Sequence, residues 1–144
     1  MPLANYTTSV EAAKTVGEIQ HILVAHGARE ILMNYGDDGV IESLSFIVNT
    51  AHGNMPIKLP VSIEPVLKIM QRDSKIPNHL CNKEQAVRVA WRILKDWVRA
   101  QMAILETDMV RLEQIFLPYM ITPDGKTLYE NMVDKGFYLT EGKD

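Results

Sequence analysis

The chain has one cysteine, Cys81, so no internal disulfide can form, and the sequence fits a reducing, cytoplasmic compartment. It has no apolar run approaching the roughly 18–20 residues that span a bilayer. Its start, "MPLANYTTSVE", lacks the basic and apolar regions of a secretion signal. The phosphate-cradling patterns G-x-x-x-x-G-K-[ST] and G-x-G-x-x-G are missing, as is the G-x-S-x-G nucleophile elbow. Glycine is absent from Asn54 through Asp124, and proline from Asn78 through Leu117. A stretch without either breaker, rich in Ala, Leu, Ile, Arg and Met, predicts a helical second half.

What remains is a globular composition. Of 144 residues, 47% are hydrophobic and 23% charged, which excludes a disordered chain and allows one autonomous core. The expected organisation is a single α+β domain over 1–144, with a helix and β-meander in 1–60 and a helical half in 61–144.

Thr8 and Glu11 make a T-x-x-E capping pattern ahead of "VEAAKTVGEIQHILVAHG", whose Val16, Ile19, Ile22 and Leu23 recur at helical spacing. Gly27 is placed to end that helix, and Gly17 is its weak point. Asp38-Gly39 marks a hairpin between "REILMNY" and "VIESLSFIVNT". "AHGN" turns the chain into "MPIKLP", a third strand placed at a sheet edge because Pro56 and Pro60 donate no ladder bonds. Ser62 is expected to cap a short helix through Arg72. Asn82 and Gln85 then open a long helix that either continues to Phe116 or breaks near Thr107-Asp108. Pro118 closes this region, "TPDGKT" turns, and "LYENMVDKG" forms a last short helix ending at Gly136. The fold class is therefore α+β, in the order α-β-β-β-α-α, with a three-stranded antiparallel meander packed against helices. That order is shared with double-stranded-RNA-binding domains, whose lysine-rich helix start this chain lacks.

Charge is unevenly distributed within a net of −3. Residues 1–60 carry Lys14, Arg29 and Lys58 against Glu11, Glu18, Glu30, Asp37, Asp38 and Glu42. Residues 61–99 carry Lys68, Arg72, Lys75, Lys83, Arg88, Arg92, Lys95 and Arg99 against Glu64, Asp73, Glu84 and Asp96. In "VRVAWRILKDWVRAQ", Arg88, Arg92, Lys95 and Arg99 project within about 60° of one another on a helix. Trp91, Leu94, Val98, Met102 and Leu105 form an apolar row beside them.

Two readings follow. The stripe is the solvated back of an amphipathic helix, with both tryptophans in the core. Alternatively it contacts phosphates or an acidic protein patch, with Lys83 and Arg72 extending the surface and one indole reachable for base stacking. The second is the functional expectation: a small non-enzymatic nucleic-acid-binding protein whose residues are Arg88, Arg92, Lys95, Arg99, Lys83 and Arg72. A homodimer formed through an exposed strand edge would strengthen modest binding.

Catalytic and metal chemistry find little footing. His79 and Cys81 are spaced H-x-C, but a structural zinc needs four ligands and His21, His26 and His52 are scattered. Asp37 and Asp38 are turn residues, and Glu106 and Asp108 point to different faces of any helix. No catalytic residue, metal or cofactor is assigned.

Two stretches, "GAREILMNYGDDGVIESLSFIV" and "AVRVAWRILKDWVRAQMAILETDMVRLEQIFLPYMITPDGKTLYE", resemble a group of short phage and prophage proteins to which no activity is attached. "AWRILKDWVRAQ" and "FLPYMITPDGKTLYE" are the most distinctive strings. The resemblance covers most of residues 5–133 and implies a phage-type setting. That setting implies nucleic-acid handling, inhibition of a host defence protein, or sequestration of a nucleotide immune signal. It supplies no site residues.

Overall fold

A computed structural model describes residues 2–136. Helix α1 (Ala12–Ala25) leads into strands β1 (Ala28–Tyr35), β2 (Ile41–Thr50) and β3 (Gly53–Lys58). Helices α2 (Ile63–Arg72) and α3 (Lys83–Glu106) follow, then the short α4 (Leu112–Phe116) and α5 (Leu128–Lys135). The sheet is antiparallel in the order β1-β2-β3, as the meander pattern predicts.

Alternation decides which side of the sheet is covered. Leu44, Phe46 and Val48 of β2, with Met55 and Ile57 of β3, point into the core. Val16, Ile19 and Leu23 of α1 meet them there, together with Val87, Trp91, Leu94, Val98 and Met102 of α3. A second cluster lies where α2 packs on α3, built from Met70, Ile76, Ala86 and Val89. Each large aliphatic or aromatic side chain buried in these clusters contributes on the order of 1.5–3 kcal/mol of transfer free energy.

Local details refine the sequence reading. The expected capping box at Thr8 does not form: Thr8 Oγ1 accepts from the Val10 backbone N–H, Glu11 is the N-cap residue, and its carboxylate turns to Arg88. Ser62 does precede α2, but its side chain makes no cap bond. Asn82 caps α3 by accepting from Gln85 N–H at 2.8 Å. The long helix breaks after Glu106: the Thr107 hydroxyl donates to Ile104 O, and Asp108 turns left-handed with φ 63°. Thr127 and Glu130 cap α5 reciprocally, and Gly136 ends it at φ 69°.

The two sheet edges are finished differently. Leu59 N–H donates to Leu44 O, so the even-numbered residues of β2 bond towards β3. Pro56 faces Ile47, an odd-numbered residue, so its missing N–H interrupts no ladder bond. On its outer side Pro56 O accepts from Ile121 N–H at 2.8 Å, and Ile57 bridges Met120. The β3 edge is therefore covered by the segment before α5. The β1 edge carries no such cover among the described residues.

Candidate nucleic-acid interface

The basic stripe on α3 is flanked by two elements. On one side, α1 runs parallel to α3 and the contacts step along both helices together. Arg88 Nη2 lies 3.4 Å from Glu11 Oε2, Arg92 Nη1 lies 3.4 Å from Thr15 Oγ1, and Lys95 Nζ lies 3.0 Å from Glu18 Oε1. The same carboxylate oxygen of Glu18 is 2.8 Å from Arg92 Nη1. Further along, His26 Nε2 and Glu106 Oε2 meet at 2.8 Å. On the other side, the N-terminal segment closes in. Gln85 Nε2 donates to Tyr6 O and Thr8 O, and Asn5 Nδ2 donates to Asp96 Oδ2.

Three of the four stripe cations are consequently seam residues rather than an open face. Arg88 and Arg92 keep 20% of their side-chain surface and Lys95 only 10%. The sequence view of one helix could not show this, because the compensating acids lie far away in the chain. A signal was available: Glu11 and Glu18 are seven apart, as are Arg88 and Lys95, so parallel helices present them in register. The uneven charge distribution has the same origin, since an acidic first helix docks on a basic later one.

Arg99 differs. It lies one turn beyond Lys95 and is exposed, and among the described residues no ion pair engages it. Lys14 is also exposed and enters no ion pair there. Both line a cleft of about 430 Å³ between α1 and α3, with Glu18, His21 and Lys95. Glu18 is the one carboxylate of that cleft, and Arg92 and Lys95 share it. The lining cations Lys14, Lys95 and Arg99 set against Glu18 leave two formal positive charges. The hydrogen bond from Lys95 holds the Glu18 carboxyl below the usual range, with Arg92 adding to the effect, so Glu18 stays ionised at neutral pH.

Lys83 and Arg72 do not join this cleft. Lys83 Nζ pairs with Asp38 Oδ2 of the β1–β2 turn at 3.0 Å, which raises the lysine pKa. Asp38 is held below the usual carboxylate range by the Val40 backbone N–H and by Lys83. Arg72 ends α2, which packs on the Ala86 and Val89 side of α3.

The indoles are committed to packing. Trp91 is 0% exposed and donates to Ile41 O at 3.4 Å. Trp97 packs edge-on against Phe116 and Tyr119, with centroids 5.9 and 5.6 Å away, and Phe116 continues the series to Phe46. Neither ring lies on the stripe, so the expected base-stacking platform is not formed there.

A second cavity, of about 610 Å³, lies elsewhere. It sits between the start of α1, the β1–β2 turn and the start of α3. Its walls are mostly apolar, from Ala12, Tyr35, Val40, Ile41 and Val87. Its charged residues oppose one another: Lys83 pairs with Asp38, and Arg88 with Glu11 and Glu84. Cys81 Sγ donates to Met70 O at 3.1 Å, a packing role for the thiol. Among the described residues no group of three or more His, Cys, Asp or Glu side chains is placed to hold a metal ion. No helix among them is long and apolar enough to cross a membrane.

Comparison of the chain with protein-family models, with curated proteins and with solved structures returned no match.

Proposed function

We propose that this chain is a non-enzymatic binding protein that holds a nucleic-acid backbone in the cleft between α1 and α3. The observation that carries the reading is the charge surplus there, three lining cations against the single carboxylate of Glu18. Lys14 and Arg99 are the residues proposed to reach phosphates, because they are exposed and unpaired among the described residues. Arg92 and Lys95 contribute field from beneath. Lys83, Arg72 and Arg88 stand outside the contact.

Phosphate contacts of this kind carry little base selectivity. Two phosphate contacts correspond to a log–log salt slope of roughly 1.4–1.8 in magnitude. Fluorescence anisotropy with single- and double-stranded DNA and RNA, at two salt concentrations, tests the reading. Lys14→Glu with Arg99→Glu is expected to abolish binding in a folded protein, and Glu18→Gln to tighten it. Binding that ignores all three changes would reject the cleft. A partner protein that survives nuclease in a pull-down would instead support the inhibitor of a host defence effector.

One observation favours a second reading, a sponge for a small nucleotide signal. The cavity of about 610 Å³ has a size that admits such a ligand, and Arg88 on its wall has a buried Nε with no partner among the described residues. Thermal-shift measurements with cyclic nucleotides read it directly, because ligand binding raises apparent stability.

A further inference from the structure

Strand β1 is an open sheet edge. β2 uses its even-numbered residues towards β3, so its odd-numbered residues bond towards β1. Ile47, Ser45 and Ser43 pair with Glu30, Leu32 and Asn34. The backbone groups of Ile31 and Met33 therefore point away from the sheet. Among the described residues, no turn, loop or cap hydrogen bond engages them. The regular stretch of the edge carries neither proline nor lysine, and Leu32 on its outer face is 61% exposed.

We propose that two copies of this chain pair edge to edge through β1, antiparallel, with the two-fold axis at Leu32. The register follows from three observations. Irregularities lie between Ala28 and Glu30 and between Asn34 and Tyr35, so the regular stretch Glu30–Asn34 is centred on Leu32. Backbone parity agrees, since Ile31 of one copy then faces Met33 of the other and both residues present free N–H and C=O groups. Side chains agree too: Leu32 meets Leu32, Ile31 meets Met33, and Glu30 meets Asn34, whose amide keeps a hydrogen after bonding Ser43. Moving the axis by one residue sets Glu30 or Asn34 against Leu32 instead.

Helix α1 supplies a matching second layer. Ala13, Gly17, Gln20 and Val24 follow helical spacing on one side of it, and the 3.5 Å contact from Gln20 Nε2 to Met33 Sδ turns that side towards the β1 edge. Gly17 leaves open space, as a Cβ there would meet nothing within 4 Å, and Val24 is 59% exposed. This pairing uses neither Lys14 nor Arg99, so it stands apart from the nucleic-acid proposal.

Light scattering after size exclusion tests it. The unaltered chain is expected at twice 16.3 kDa, and Leu32→Lys at 16.3 kDa with an unchanged fold. In a Cys81→Ser background, Leu32→Cys is expected to form an intermolecular disulfide on oxidation, because facing non-hydrogen-bonded residues have Cα atoms about 4.5 Å apart. Glu30→Cys, displaced from the axis, is expected to stay uncrosslinked. A monomeric chain at all concentrations, or a dimer indifferent to Leu32→Lys, overturns the proposal.

Discussion

The two flanks of α3 that meet α1 are held by different physics. The apolar flank, Trp91, Leu94, Val98 and Met102, is buried against α1 and the sheet and owes its stability to excluded water. The charged flank, Arg88, Arg92 and Lys95, is covered by the same helix but depends on carboxylates that must stay ionised. The apolar flank is indifferent to pH and salt. The charged flank is conditional, and its surplus of cations is also what an anionic partner would feel.

The largest expected effect comes from breaking the apolar side. Trp91→Ala removes a fully buried indole together with its bond to Ile41 O. The expected loss is about 3–5 kcal/mol, from transfer and cavity terms together. Denaturant unfolding should show it equally at low and high salt. A loss that salt largely removes would mean that charge, not packing, joins α3 to the rest.

That contrast also marks how far the sequence could be read. The element order, the breaker-free helical half and the hairpin at Asp38-Gly39 were legible, because each rests on local chemistry: turn residues, periodicity and caps. The apolar row from Trp91 to Met102 was legible for the same reason. The fate of the stripe was not, since Glu11 and Glu18 reach it only through tertiary packing. A helical-wheel projection shows a solvated face; the fold roofs that face with another helix. The pairing of Lys83 was hidden for the same reason, its partner Asp38 being explained by turn chemistry alone. The distinction between Arg99 and its three stripe neighbours depends on where the acids of α1 end: Glu18 is the last, although the helix runs on to Ala25.

The next effect is smaller and separates the two flanks directly. Glu18→Gln leaves Arg92 and the nearly buried Lys95 without their shared carboxylate. The variant should be less stable than the parent at neutral pH, by less than Trp91→Ala, while Arg99→Ala should change stability by about 0.5 kcal/mol or less. Because the folded-state pKa of Glu18 is depressed, its contribution is present above the unfolded value and lost as pH falls through the folded one. The gap between parent and Glu18→Gln should therefore close in acid. Adding Lys95→Met should recover stability at neutral pH, since an apolar group of similar length needs no counter-charge there. A gap that persists in acid would show that the carboxylate acts by shape rather than charge.

The smallest effect lies at the far end of the seam and runs the opposite way with pH. His26 donates from Nδ1 to Ile22 O at 2.8 Å, and its Nε2 meets Glu106. The Ile22 carbonyl first and the Glu106 carboxylate second favour the protonated ring, so its pKa is raised. The stabilisation is complete below the unfolded value of about 6.5 and fades as pH rises through the folded value. Glu106→Gln should lower the midpoint of thermal unfolding slightly below that value, and the difference should vanish in mild alkali. Glu106 is two-thirds exposed, so added salt should shrink the effect as well. Two pH titrations of one seam, fading in acid at Glu18 and in alkali at His26, would establish that charge pairing clamps α1 to α3 along its whole length. Titrations that fade together would assign the pH dependence to some other part of the molecule.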